Sequence, residues 1–114
     1  MSALENADLT SGLTSDDIMR FGDDPTKTFA LNLKAVQERI IHACQRCGRE
    51  PESVRLLPVT KTVPVHILQL AFAAGITNFA ENKLQEARDK RSILEHLPID
   101  WSIIGHLQTN KVKL

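Results

Sequence analysis

Residues 54–60 have the sequence Val-Arg-Leu-Leu-Pro-Val-Thr. The stretch is short, apolar and rich in β-branched residues, which predicts a buried β-strand. Pro58 cannot donate a hydrogen bond to a neighbouring strand, so we expect a bulge or an edge position there. Lys61 follows directly, and Pro64 then opens a predicted helix that Gly75 closes. The stretch therefore predicts one strand and the helix that comes after it.

The same alternation of strand and helix continues on both sides of this unit. Apolar periodicity predicts strands at 76–80 and 101–105 and helices at 28–47 and 82–97, and Gly48 is placed to end the first of these helices. Thr109 or Asn110 is suited to cap a further helix beginning at Lys111. Such alternation is typical of parallel strands joined by right-handed crossovers, so the predicted fold class is α/β.

Composition excludes several classes of protein. Fourteen basic residues balance fourteen acidic ones, which argues against binding to nucleic acid. No apolar stretch approaches the roughly 20 residues that cross a bilayer. Residues 1–27 are acidic and lack sustained periodicity, which predicts a flexible N-terminal extension with a short helical turn around Asp16–Phe21 and is unlike a transit or secretory signal. We therefore expect a cytoplasmic protein.

Length bounds the architecture. A complete (β/α)8 barrel needs about 200–250 residues, and this chain has 114. Because three parallel strands would leave a sheet face or both edges uncovered, we expect a truncated chain. The predicted organisation is the extension 1–27 followed by residues 28–114, the front part of a (β/α) barrel.

Cys44 and Cys47 form a C-x-x-C pair that could serve a redox or metal site. Zinc needs four ligands, and no second ligand pair stands at a suitable spacing. Both cysteines also fall on the apolar face of the predicted helix, where free cysteines pack as small hydrophobic residues. Packing is therefore the favoured interpretation, and no metal site is predicted.

Polar residues cluster where the predicted strands end, at 60–62, 81–82 and 105–108. Parallel strands would bring these clusters to one edge, where α/β proteins bind ligands. Lys61 ends an apolar strand, where desolvation would favour a neutral, nucleophilic amine, although a lysine reaching into solvent is the more common arrangement. Glu81 and Asn82 are either site residues or helix N-terminal residues that suit the dipole and the cap. His106 is either a rim residue or a general base.

Three motifs resemble the signatures of the pyridoxal phosphate (PLP) homeostasis proteins, the YggS/PROSC family. They are Leu-Leu-Pro-Val-Thr-Lys-Thr-Val-Pro at 56–64, Phe-Ala-Glu-Asn-Lys-Leu-Gln-Glu at 79–86 and Trp-Ser-Ile-Ile-Gly-His-Leu-Gln-Thr-Asn-Lys at 101–111. The resemblance covers residues 30–114. Two departures are Ala80 and Lys83, which replace the Gly and Tyr of the family's Gly-Glu-Asn-Tyr, and Pro58 stands where alanine is frequent.

This resemblance implies the first three βα units of an alanine racemase-like (β/α)8 TIM barrel. It implies that Lys61 holds PLP as a Schiff base, with Asn82 beside it and His106 and Gln108 near the rim. The family's phosphate-binding loops and the arginine facing the pyridine nitrogen lie in its second half, so we expect this chain alone to bind PLP weakly.

The function implied is a non-catalytic PLP carrier that supplies apo-enzymes inside the cell, monomeric if full length. The chain contains no tyrosine, the acid/base residue of racemases with this barrel. The alternatives are a racemase or decarboxylase that uses the same lysine, and a truncated product that does not bind the cofactor.

Overall fold

The computed structural model describes residues 12–105. Within this range the chain forms four α-helices, a short 3₁₀ turn and a two-stranded sheet. In chain order they are α1 (Ser15–Phe21), α2 (Pro25–Cys47), the 3₁₀ turn (Pro51–Ser53), α3 (Val65–Ala73), β1 (Asn78–Glu81), α4 (Leu84–Ile93) and β2 (Asp100–Ile103). The α/β class predicted from the sequence is confirmed at this level.

The two strands are parallel, and their register pairs Asn78 with Asp100 and Glu81 with Ile103. They correspond to the strands predicted at 76–80 and 101–105. A parallel bridge joins Val59 to Ala80 on the other side of β1. The spatial order is therefore the segment 58–60, then β1, then β2.

The prediction of a continuous buried strand over residues 54–60 was wrong. The segment pairs with β1 only around Val59, through hydrogen bonds from Thr60 N–H to the Ala80 carbonyl (2.8 Å) and from Ala80 N–H to the Pro58 carbonyl (2.9 Å). Val59 is 50% exposed. Pro58, which has no N–H, occupies the edge position expected for it.

The N-terminal part of the described chain is more regular than the sequence suggested. Thr14 and Asp17 form a reciprocal capping box that starts α1, and Asp24 caps α2, which begins at Pro25. The predicted boundary at 27/28 therefore falls inside a helix, and residues 14–22 and 24–27 of the predicted flexible extension are helical or capping. Helix α1 confirms the short helical turn predicted around Asp16–Phe21. Residues 1–11 of the predicted extension lie outside the described residues.

Helix α2 ends at Gly48, whose φ of 71° forms the expected left-handed cap. Its apolar face is narrower than predicted. Cys44 is buried, whereas Cys47 is exposed and its thiol lies 3.6 Å from the Cys44 carbonyl. Both cysteines are free, and no group of three potential ligands that could hold a metal ion occurs among residues 12–105.

The core lies between α3, α4 and one face of the sheet. It is built from Leu68 and Ala71 of α3, Phe79 of β1 and Leu94, which follows α4. The Phe79 ring meets Trp101 of β2 edge to face, with centroids 5.5 Å apart. None of the helices between residues 12 and 105 combines the length and the apolar character needed to cross a bilayer.

Candidate functional site

The carboxyl ends of the parallel segments meet at one edge of the sheet. The register aligns Val59 with Ala80, and Glu81 with Ile103. Lys61 and Asn82 therefore stand at equivalent positions, two residues beyond the paired Val59 and Ala80. The structure thus brings these two predicted site residues to neighbouring strand ends, where open α/β sheets bind ligands.

Lys61 and Asn82 are both exposed, whereas the residues before them, Thr60 and Glu81, are buried. Because successive side chains of a strand point to opposite faces, Thr60 and Glu81 share the face covered by the helices. Val59, which precedes Thr60, therefore belongs to the opposite face. Lys61 is exposed in the turn that follows Thr60.

This exposure corrects one expectation. The sequence suggested that an apolar strand would desolvate the Lys61 amine. In the described part of the chain, Lys61 instead occupies an exposed turn. Among residues 12–105 the segment that was expected to form the strand pairs with β1 alone, so its other edge is unpaired.

A tight turn presents Lys61. The Val63 N–H donates to the Thr60 carbonyl at 3.1 Å, which closes the turn around Lys61 and Thr62. Thr62 has a φ of 66°, a left-handed conformation that β-branched residues rarely adopt. The Thr62 carbonyl accepts a hydrogen bond from Arg20 Nη2 of α1 at 3.0 Å. The turn is therefore held from within and from the N-terminal helix.

A buried polar network lies directly beneath this turn. Lys90 of α4 donates from Nζ to Glu81 Oε1 at 2.8 Å and to the Thr60 carbonyl at 3.1 Å. The Thr60 hydroxyl donates to the other Glu81 oxygen and lies 3.2 Å from the Ala80 carbonyl. The Glu81 side chain is fully buried, and that of Lys90 is 11% exposed. Strand end, turn and α4 are thereby joined by one ion pair.

The helix N-terminal interpretations of Glu81 and Asn82 are wrong. Helix α4 begins at Leu84, and its N-cap is Lys83, which makes no side-chain capping bond. Glu81 is the last residue of β1, and its charge is met by Lys90 rather than by the helix dipole. Exposed Asn82 is left free of a capping role.

Sequence reasoning missed Lys90. It lies on the buried stripe of α4 with Ala87 and Leu94, at spacings of three and four residues. A lysine inside an apolar stripe is a signal for a buried partner, because a desolvated ammonium must be paired. The partner itself could not be identified without the packing of α4 on β1.

A second polar contact ties α1 to α3. His66 Nε2 lies 2.7 Å from Asp17 Oδ2, and the Asp17 side chain is only 4% exposed. The backbone N–H of Thr14, followed by the hydrogen bond with His66, holds the pKa of Asp17 below its ordinary value. The N-terminal helix is thus docked beside the turn that carries Lys61.

The remaining predicted site residues, His106 and Gln108, lie outside the described residues, as does the helix predicted from Lys111. Lys61 and Asn82 follow neighbouring parallel segments, and both residues are exposed.

Several proteins of known name are similar in sequence to this chain. The chain is 45% identical over 86 residues to the pyridoxal phosphate homeostasis protein of Pseudomonas aeruginosa, a match that covers 75% of this chain and 37% of that protein. The chain is a homologue of the pyridoxal phosphate homeostasis proteins. Those of Aquifex aeolicus and Escherichia coli K12 are each 42% identical to it, over 71% and 75% of this chain and 36% and 38% of their own lengths. The chain thus spans less than two fifths of these homologues. No family model matches it.

Two solved structures are similar in fold to this chain. PipY of Synechococcus elongatus, solved without PLP, is 37% identical with a TM-score of 0.51, and the match covers 63% of this chain and 34% of that one. An unknown protein from Bifidobacterium adolescentis is 27% identical with a TM-score of 0.59, and the match covers 90% of this chain and 44% of that one. In both matches this chain corresponds to less than half of the solved protein.

Proposed function

We propose that this chain supplies the cofactor lysine of a PLP homeostasis protein and that Lys61 is this lysine. One observation carries the proposal: Lys61 is exposed in the turn after the segment that pairs with β1, and Asn82 is exposed at the equivalent position after β1. The names of the homologues support the choice of ligand. In the proposed role the protein holds PLP reversibly inside the cell.

The described residues fit the chemistry that PLP brings. Its aldehyde carbon accepts a primary amine, forming a C=N bond with loss of one water. Lys61 offers such an amine in an exposed turn, whereas Lys90 is buried and committed to Glu81. Asn82, with an amide that both donates and accepts hydrogen bonds, would orient a polar group of the ligand. His106 is proposed as a further contact near the rim.

We further propose that the sheet is part of a (β/α)8 barrel. In such barrels the helices lie outside, and ligands bind at the carboxyl ends of the strands. The described helices cover the Phe79 face of the sheet, so the opposite face with Val59 would line the barrel interior. The matched proteins are more than twice as long as the matched region, which leaves room for the remaining units. On this proposal the phosphate is held by parts of the barrel beyond residues 28–114.

The proposed role is that of a carrier rather than a catalyst, with apo-enzymes that require PLP as recipients and a monomer as the working form. The naming of the homologues for homeostasis rather than for a reaction supports this choice. Incubation with amino acids in deuterated water tests it. A carrier leaves the α-proton in place, and exchange of that proton at a catalytic rate would instead identify an enzyme.

Titration of the purified chain with PLP, followed by absorption, tests the lysine assignment. We expect wild type to develop the yellow absorption of a lysine-bound cofactor and Lys61→Ala to lose it. Lys83→Ala is the matched control, since Lys83 is another exposed lysine, with a side chain that is 70% exposed. Equal absorption in wild type and Lys61→Ala would remove Lys61 from the site.

A further inference from the structure

A buried ion pair touches the peptide bond that precedes Lys61. Lys90 Nζ lies 2.8 Å from Glu81 Oε1 and 3.1 Å from the carbonyl oxygen of Thr60. That carbonyl belongs to the peptide bond between Thr60 and Lys61. A cation on α4 therefore contacts the backbone immediately before the proposed cofactor lysine, from the buried side of the segment.

Stability alone does not explain a lysine at this position. A buried ion pair is often no more stabilising than well-packed apolar side chains of similar volume, because both charges must be desolvated. Ala87 and Leu94 occupy the same stripe of α4, so an apolar residue at position 90 would continue the core. An apolar side chain, however, could not donate a hydrogen bond to Thr60.

The hydrogen bond from Lys90 to the Thr60 carbonyl restrains a turn that is under conformational strain. The Thr60 carbonyl also accepts the Val63 N–H at 3.1 Å, so one oxygen anchors both ends of the turn. Between them, Thr62 adopts a φ of 66°. A strained residue of this kind persists only where its surroundings over-determine the conformation. Lys90 supplies one such restraint from beneath, and Arg20 supplies another at the Thr62 carbonyl.

We propose that Lys90 is a positioning residue for Lys61. Paired with Glu81, it fixes the Thr60 carbonyl and thereby the turn that directs the Lys61 amine toward the ligand. The inference rests on the proposed function insofar as Lys61 binds PLP. Its effect on the turn itself is independent of the cofactor.

The test uses the full chain in four forms: wild type, Lys90→Met, the double variant Glu81→Gln/Lys90→Met and the control Lys83→Met. Two quantities are measured: the apparent dissociation constant for PLP, and the hydrogen-exchange rate of the Val63 amide in the absence of PLP. The double variant removes both charges, so it avoids the unpaired Glu81 carboxylate that destabilises Lys90→Met. It thus separates loss of stability from loss of positioning.

We expect both variants without Lys90 to bind PLP at least about tenfold more weakly, as loss of a hydrogen bond to a charged group implies. The Val63 amide should exchange faster in both, even where the double variant regains thermal stability. Lys83→Met should match wild type. Wild-type PLP affinity and Val63 exchange in a stable double variant would overturn the inference. If wild type itself fails to bind PLP, the proposed function fails, and the Val63 exchange rates still decide whether Lys90 holds the turn.

Discussion

The Asp17 carboxylate links α1 to α3, because it accepts hydrogen bonds from the Thr14 N–H and from His66. The Thr14 bond and then the His66 bond lower its pKa from the ordinary value of 3.8. A carboxyl group whose pKa is lower in the folded than in the unfolded state stabilises the fold above its unfolded pKa. That contribution is lost as the pH falls through the folded value.

We therefore expect Asp17→Asn to lower the free energy of unfolding at neutral pH and to lose this effect on acidification below pH 3.8. Chemical unfolding of both proteins across this range measures the difference. Asp23→Asn, at an exposed position of the same segment, is the control and should show a smaller difference. A deficit for Asp17→Asn that stays constant from neutral to strongly acidic pH would contradict the explanation.

Residues differ in how far the sequence predicted them. The placement of Lys61 and Asn82 at neighbouring strand ends could be predicted because both follow apolar runs, and a parallel sheet brings the ends of such runs together. Lys90 was missed because its role depends on a contact with Glu81 across two elements. Periodicity identifies the buried face of a helix, but it does not reveal which polar group lies on the element packed against that face.

Among the elements, α2 depends on Gly48 for its ending. The glycine has a φ of 71°, and a Cβ built at this position meets no atom within 4 Å. We expect Gly48→Ala to lower the free energy of unfolding by about 1 kcal/mol, entirely through backbone strain. Thermal unfolding measures the change. Gly12→Ala, also free of close atoms but not in a left-handed conformation, should leave stability unchanged, and equal effects at both sites would contradict the account.

The elements were predicted best where signals were local. Gly48 marks the end of α2, and Pro64 immediately precedes α3, as the sequence indicated. The prediction failed for residues 54–60, where composition indicates β-structure but pairing depends on the number of neighbours. With β1 as its described neighbour and Pro58 lacking a donor, the segment forms a bridge rather than a strand.

The whole described chain has a covered face and an open face. Helices α3 and α4 bury Phe79 on one side of the sheet, while Val59, Lys61 and Asn82 are exposed. The sequence predicted the α/β class and the parallel direction, because alternating strands and helices admit few other topologies. Closure of this sheet into a barrel would require further strands and stays a proposal. The three homologues compared support it, because the chain spans only 36–38% of their lengths.

Hydride trapping would show whether Lys61 is the lysine that binds PLP. The full chain is incubated with PLP, reduced with borohydride, digested and mapped by mass spectrometry, so that each modified lysine is located. We expect the phosphopyridoxyl group to be recovered on Lys61 in preference to the exposed Lys83. Preferential labelling of Lys83 or of Lys111, or no labelled lysine at saturating PLP, would contradict it.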